Sequence, residues 1–155
     1  MISPPAASVT GLASSGCLNV LVEGVAPLTF IEIAPGIVTL GAGPSTVTIG
    51  GITGDLSSIA TSSITAGAKE QGAQHLTLRH TFSSPAGTFV TDDRAVCAPA
   101  GTDPTVCRVN DVLNVVSGTG VFANASGMLH NHAEADLKSM TLTYTMRGRI
   151  CGQGL

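Results

Sequence analysis

Tryptophan is absent from this chain of 155 residues, tyrosine occurs once, and charged residues make up 11%, against about 25% in an average soluble domain. These scarcities remove whole classes of function. A nucleic-acid groove tracks phosphates with clustered Lys and Arg and often stacks bases on rings. Here aromatics are 3%, Lys and Arg together number 7, and the net charge is −3, so no nucleic-acid partner is expected. No apolar run reaches the ~18 residues that cross a bilayer, so no membrane span is expected. Residues 1–16 lack a basic start followed by an apolar stretch and do not read as a signal peptide. Rich in Pro, Ala and Ser, they read as a flexible N-terminal arm, with 17–155 as one domain. There is no P-loop, no Gly-x-Ser-x-Gly elbow, no dinucleotide fingerprint and no CxxC pair.

What the chain does have is 19 glycines, abundant Ser and Thr, and short apolar runs between turn residues. That mixture suits many strands joined tightly. Cys17-Leu18-Asn19-Val20-Leu21-Val22-Glu23 reads as a first strand. The runs 29–33, 36–40 and 46–49 read as further short strands, the first two broken at Ala34-Pro35 because proline cannot donate to a ladder. Residues 50–72 lean towards strand, with a short helix or a loop as alternatives. Residues 74–82 alternate, placing Leu76, Leu78, His80 and Phe82 on one face. Residues 88–97 return after the turn at Ser83-Ser84-Pro85-Ala86-Gly87, and 106–116, 128–137 and 140–147 complete the set. About eight sequential strands with short connections and no amphipathic helix predict an all-β, antiparallel up-and-down barrel, with a sandwich as alternative. Closure removes the unpaired edges that invite aggregation.

The four cysteines stand at 17, 97, 107 and 151. An even number in a low-charge β-rich chain points to disulfides and an oxidising compartment, secreted or periplasmic. Cys97 and Cys107 flank a turn-rich connection and are expected to pair across it. Cys17 and Cys151 then join the first strand to the last, which are neighbours in a closed barrel. Four buried free thiols are the alternative.

Between two late strands runs Ser117-Gly118-Thr119-Gly120-Val121-Phe122-Ala123-Asn124-Ala125-Ser126-Gly127. Gly118, Thr119, Gly120, Phe122, Ala125 and Gly127 resemble the glycine-rich turn of the allene oxide cyclase and dirigent-like barrels. The strands around it look like those of bacterial extracytoplasmic members, the resemblance covering roughly residues 73–151. It implies an eight-stranded antiparallel barrel, often a homotrimer, with a mostly apolar cavity that acts on a small molecule without metal or organic cofactor. No catalytic residue is carried over, because only the turn matches. Read on its own, the turn uses glycines for positive φ, and Phe122 plugs one end of the core.

Three sets of residues carry possible chemistry. His80 shares a face with Leu76, Leu78 and Phe82. Inside a small barrel it would be a general acid/base, or simply a hydrogen-bonded core residue. Asp93 falls inward if Phe89 does, and needs a partner there, from Arg79 or His80. Tyr144, among Met140, Leu142 and Met146, would anchor a ligand by its hydroxyl or serve as a satisfied core aromatic. His130, His132 and Glu134 alternate along one strand face and have the types and spacing of metal ligands. The plainer reading of that face is solvent, since Leu129, Ala133, Ala135 and Leu137 occupy the other, with Asn131 as its one polar member.

The resemblance, with His80, Asp93 and Tyr144 as interior polar groups, implies a small barrel that binds an apolar small molecule, as a cofactor-free cyclase or isomerase if it is an enzyme. One alternative is a non-enzymatic extracytoplasmic structural or carrier protein; another is a metal-dependent enzyme using the His-x-His strand. A cavity lined by His80 and Tyr144 would favour the first, a filled interior the second.

Overall fold

The computed structural model describes residues 16–62 and 73–155. The expected arm at 1–16 and the uncertain stretch 50–72 therefore lie partly outside the described residues. Eight strands follow one another: β1 (Cys17–Ala34), β2 (Ile37–Ile49), β3 (Ile52–Ala60), β4 (Gln74–Ser84), β5 (Gly87–Ala100), β6 (Asp103–Gly120), β7 (Ser126–Asp136) and β8 (Thr141–Cys151). They close into a barrel in chain order, β8 returning to β1. Every neighbouring pair is antiparallel.

Alternation sets which side chains enter. On β7, Leu129, Asn131, Ala133 and Ala135 are buried while Met128, His130, His132 and Glu134 are exposed; on β5, Phe89, Thr91, Asp93 and Ala95 are buried. Leu137, expected on the inner face, lies just past the end of β7, where it lines the open-end cavity and is exposed.

Two expectations are corrected near the N-terminus. The runs at 17–23 and 29–33 are one strand, because β1 continues through Pro27, which meets Thr141 in the last pair shared with β8. A proline costs little where pairing on that side ends. The runs at 36–40 and 46–49 are likewise one strand, shifted in register between Ala42 and Ser45, where the Gly43–Pro44 bond is cis. Beyond the pairs with β8 and β3, the strand residues between 30 and 40 pair only with each other and carry exposed Phe30, Ile33, Ile37 and Val38.

The two ends of the barrel differ. One is filled by Phe82, Phe89 and Phe122, all fully buried, with ring centroids 5.1–5.8 Å apart. Each ring contributes about 1.5–3 kcal/mol by burial. The chain reaches this plug through the glycine-rich turn, where Gly120 has φ +60° and a Cβ would strike the Ala86 carbonyl oxygen. Cys17 and Cys151 are bonded at this end, across the β1–β8 seam. The other end is open, and the Cys97–Cys107 disulfide joins β5 to β6 there. Both expected pairings are present.

Candidate functional site

The open end holds a cavity of about 470 Å³, within the usual range of small-molecule sites. Leu28, Leu76, Leu78, Val109, Ala133 and Leu142 form much of its wall. Its floor is polar, and the strand period explains why. Reading inward positions from the plug towards the opening, β4 gives Phe82, His80, Leu78; β6 gives Leu113, Asp111, Val109; β7 gives Leu129, Asn131, Ala133. Each strand thus places one polar side chain between an apolar plug and an apolar wall.

His80, Asp93, Asp111 and Asn131 are 3–5% exposed. His80 Nδ1 lies 2.5 Å from Asp93 Oδ2, and the His80 backbone N–H donates to Thr91 Oγ1 at 3.1 Å. An ionised carboxylate only accepts, so Nδ1–H donates and the imidazole lone pair is left on Nε2. Nε2 has no protein partner among the described residues and keeps access to the cavity that His80 lines. Asp111 Oδ2 is 3.9 Å from the same Nδ1, and neither Asp111 oxygen has a hydrogen-bond partner among the described residues. Burial, and then the neighbouring Asp93 charge, push the Asp111 carboxyl up to about 8. At neutral pH it is therefore held mainly as the neutral acid.

Of the residues singled out in the sequence, His80 and Asp93 are brought together. Arg79, offered as a partner for Asp93, instead points outward and pairs with Asp92 at 3.3 Å. Tyr144 is buried, but away from the main cavity. Its hydroxyl is 2.9 Å from Ser45 Oγ, beside a side chamber of about 20 Å³ that His80 and Asn131 also line. Tyr144 also closes against Gly24, where a Cβ would stand 2.8 Å from the hydroxyl.

His130, His132 and Glu134 lie on the outer surface, and His132 Nδ1 is 2.7 Å from Asn110 Oδ1. Among the described residues, the set whose donor atoms fall within 4.8 Å of one another is not this one but His80, Asp93 and Asp111. Alternation sends the outer residues into solvent and the inner ones into a shared floor. Asp111 was not singled out in the sequence. Its signal was there: it interrupts the inward run Val109, Leu113, Val115. Asn131 stood out only as the polar member of an apolar face.

The class this defines is a closed eight-stranded antiparallel barrel with one filled end and one open, ligand-sized cavity. The chain is similar to two solved structures of pterocarpan synthase dirigent proteins. The first is 14% identical, with 98% of this chain and 96% of that chain covered and a TM-score of 0.48. The second is 14% identical, with 88% and 96% covered and a TM-score of 0.47. No family model matches the sequence, and no curated protein does.

Proposed function

We propose that this barrel binds a small, uncharged, mostly apolar molecule in its open-end cavity and that His80 moves a proton on it. The observation that carries the reading is the polar floor: one imidazole reaches a mostly apolar cavity beside Asp111 and Asn131, with the buried Asp93 carboxylate 2.5 Å behind it. Asp93 fixes the tautomer and orientation of the ring, leaving Nε2 to accept a proton and return it. An apolar wall excludes water that would compete for the same proton. Isomerisation or cyclisation suits such a site, since both take and return protons without an organic cofactor. Two disulfides support work in an oxidising compartment, outside the cytoplasm. The reading as a purely structural protein is less favoured, because the interior at the open end is not filled.

A generic proton-transfer probe tests this without knowledge of the natural substrate. In 5-nitrobenzisoxazole a base removes the C3 proton, the N–O bond breaks, and a coloured phenolate forms. The EDTA-treated protein is expected to accelerate this elimination above the rate of free imidazole. His80→Gln, which retains a donor for Asp93, is expected to lose at least tenfold. Equal rates for wild type and His80→Gln would overturn the reading.

A further inference from the structure

Four buried oxygens beside the imidazole have no hydrogen-bond partner among the described residues: Asp93 Oδ1, both carboxyl oxygens of Asp111, and Asn131 Oδ1. Asp93 Oδ1 and Asn131 Oδ1 are acceptors, and the Asp111 carboxyl accepts through both oxygens once its proton is displaced. They and His80 come from four consecutive strands, β4 to β7, at one depth in the barrel. Across the sheet, Asp93 faces Leu78, Asp111 faces Ala95, and Asn131 faces Asp111. Buried acceptors without donors are costly, and Asp93 and Asp111 share a buried site that cannot hold two carboxylates without a counter-charge. One positive charge placed among them answers both problems.

The cluster is compact enough for such a charge once the proton held between His80 Nδ1 and Asp93 Oδ2, 2.5 Å apart, is displaced and the two atoms part. Ligands bound 2.0–2.2 Å from an ion stand roughly 3–4 Å apart, and one atom each of His80, Asp93 and Asp111 lies within 4.8 Å of the others. Asn131 is an independent sign, being neutral, 3% exposed, and carrying its own unpartnered oxygen. We propose that His80, Asp93 and Asp111, with the Asn131 carbonyl as a further oxygen, bind one divalent first-row transition-metal ion inside the barrel. An imidazole combined with carboxylates suits Zn²⁺ or Mn²⁺, whereas Ca²⁺ takes six to eight oxygens and Mg²⁺ keeps most of its water.

This site does not rest on the proton-transfer reading; it alters it. Ligation through Nδ1 moves the ring proton to Nε2, so the face of His80 towards the cavity changes from acceptor to donor. The metal-loaded and metal-free proteins therefore present different chemistry to one ligand.

The test is calorimetric titration of the EDTA-stripped, fully oxidised protein with Zn²⁺ and, separately, Mn²⁺. One ion per chain is expected. Asp111→Asn is expected to weaken binding about 100-fold or more, since even outer-shell changes cost 10–100-fold. The double variant His130→Ala/His132→Ala is expected to stay within about threefold of wild type. Nitrogen NMR of the wild type, labelled at histidine, supplies a reading that needs no variant: Zn²⁺ is expected to move the His80 proton from Nδ1 to Nε2. No stoichiometric binding by the wild type overturns the proposal. So does binding that survives Asp111→Asn and disappears with His130 and His132, or an unchanged His80 signal at saturation. The elimination assay is run in EDTA, so these results leave the cavity reading standing.

Discussion

His80 and Asp111 share one floor and play different parts in it. Both line the cavity; His80 is hydrogen-bonded to Asp93, whereas Asp111 has no hydrogen-bond partner among the described residues and is mainly neutral at pH 7. Its carboxyl titrates near 8 in the folded chain against 3.8 as a free side chain. The folded state thus keeps a proton that the unfolded chain releases from about pH 4 upward. The associated stability is whole below pH 4 and is lost as pH rises through 8. Asp111→Asn removes the proton but keeps the shape. It is predicted to flatten the fall in melting temperature between pH 5 and 8.5. At the alkaline end it should stabilise by about 1–3 kcal/mol, the usual cost of a buried unmet polar group. Thermal melts at the two pH values check this; an unchanged slope would contradict it. In the sequence, His80 and Asp93 were legible because each breaks an otherwise clean alternation. Asp111 breaks one as plainly, but Asn110 and Asn114 on the opposite face make its strand look polar throughout. Tyr144 was legible as inward, but its partner Ser45 is 99 positions away in the chain, and no local pattern announces that bond.

At the scale of elements, the strands around the plug were the most readable. β4, β5 and β7 alternate without interruption, so side chain and face follow directly from period two. β1 and β2 resisted, because the short apolar runs at 17–23, 29–33, 36–40 and 46–49 are separated by stretches that hold Pro27 and Pro44 and do not alternate. Both prolines are tolerated where pairing ends or shifts register. The turn between β6 and β7 delivers Phe122 to the plug, held by its N–H bonding to the Thr119 carbonyl at 3.0 Å. Phe122→Ala leaves a cavity against two other rings and is predicted to cost about 3–5 kcal/mol. Phe30→Ala, on the outlying β1–β2 ribbon and 67% exposed, should change stability by less than about 0.5 kcal/mol. Urea unfolding of both variants measures the contrast, and similar losses would mean that the plug is not where the stability lies.

Over the whole molecule, the division into a filled end and an open end organises everything else. The Cys17–Cys151 disulfide fastens the seam at the filled end, bridging 134 positions, and Cys97–Cys107 bridges 10 at the open end. In the chain-entropy picture the longer loop gains more from its crosslink. Architecture and disulfide pairing were legible in the sequence because both follow from strand order. The cavity was expected only through the resemblance and not from strand pattern, since its volume depends on which small side chains meet across the barrel. Ala133 and Ala135 leave that space. Titration of the oxidised protein with the uncharged fluorophore N-phenyl-1-naphthylamine tests the central claim most directly. Saturable binding of one molecule per barrel is predicted, lost when Ala133→Phe or Ala135→Phe fills the space. No saturable binding, or binding that both variants leave untouched, would contradict the account.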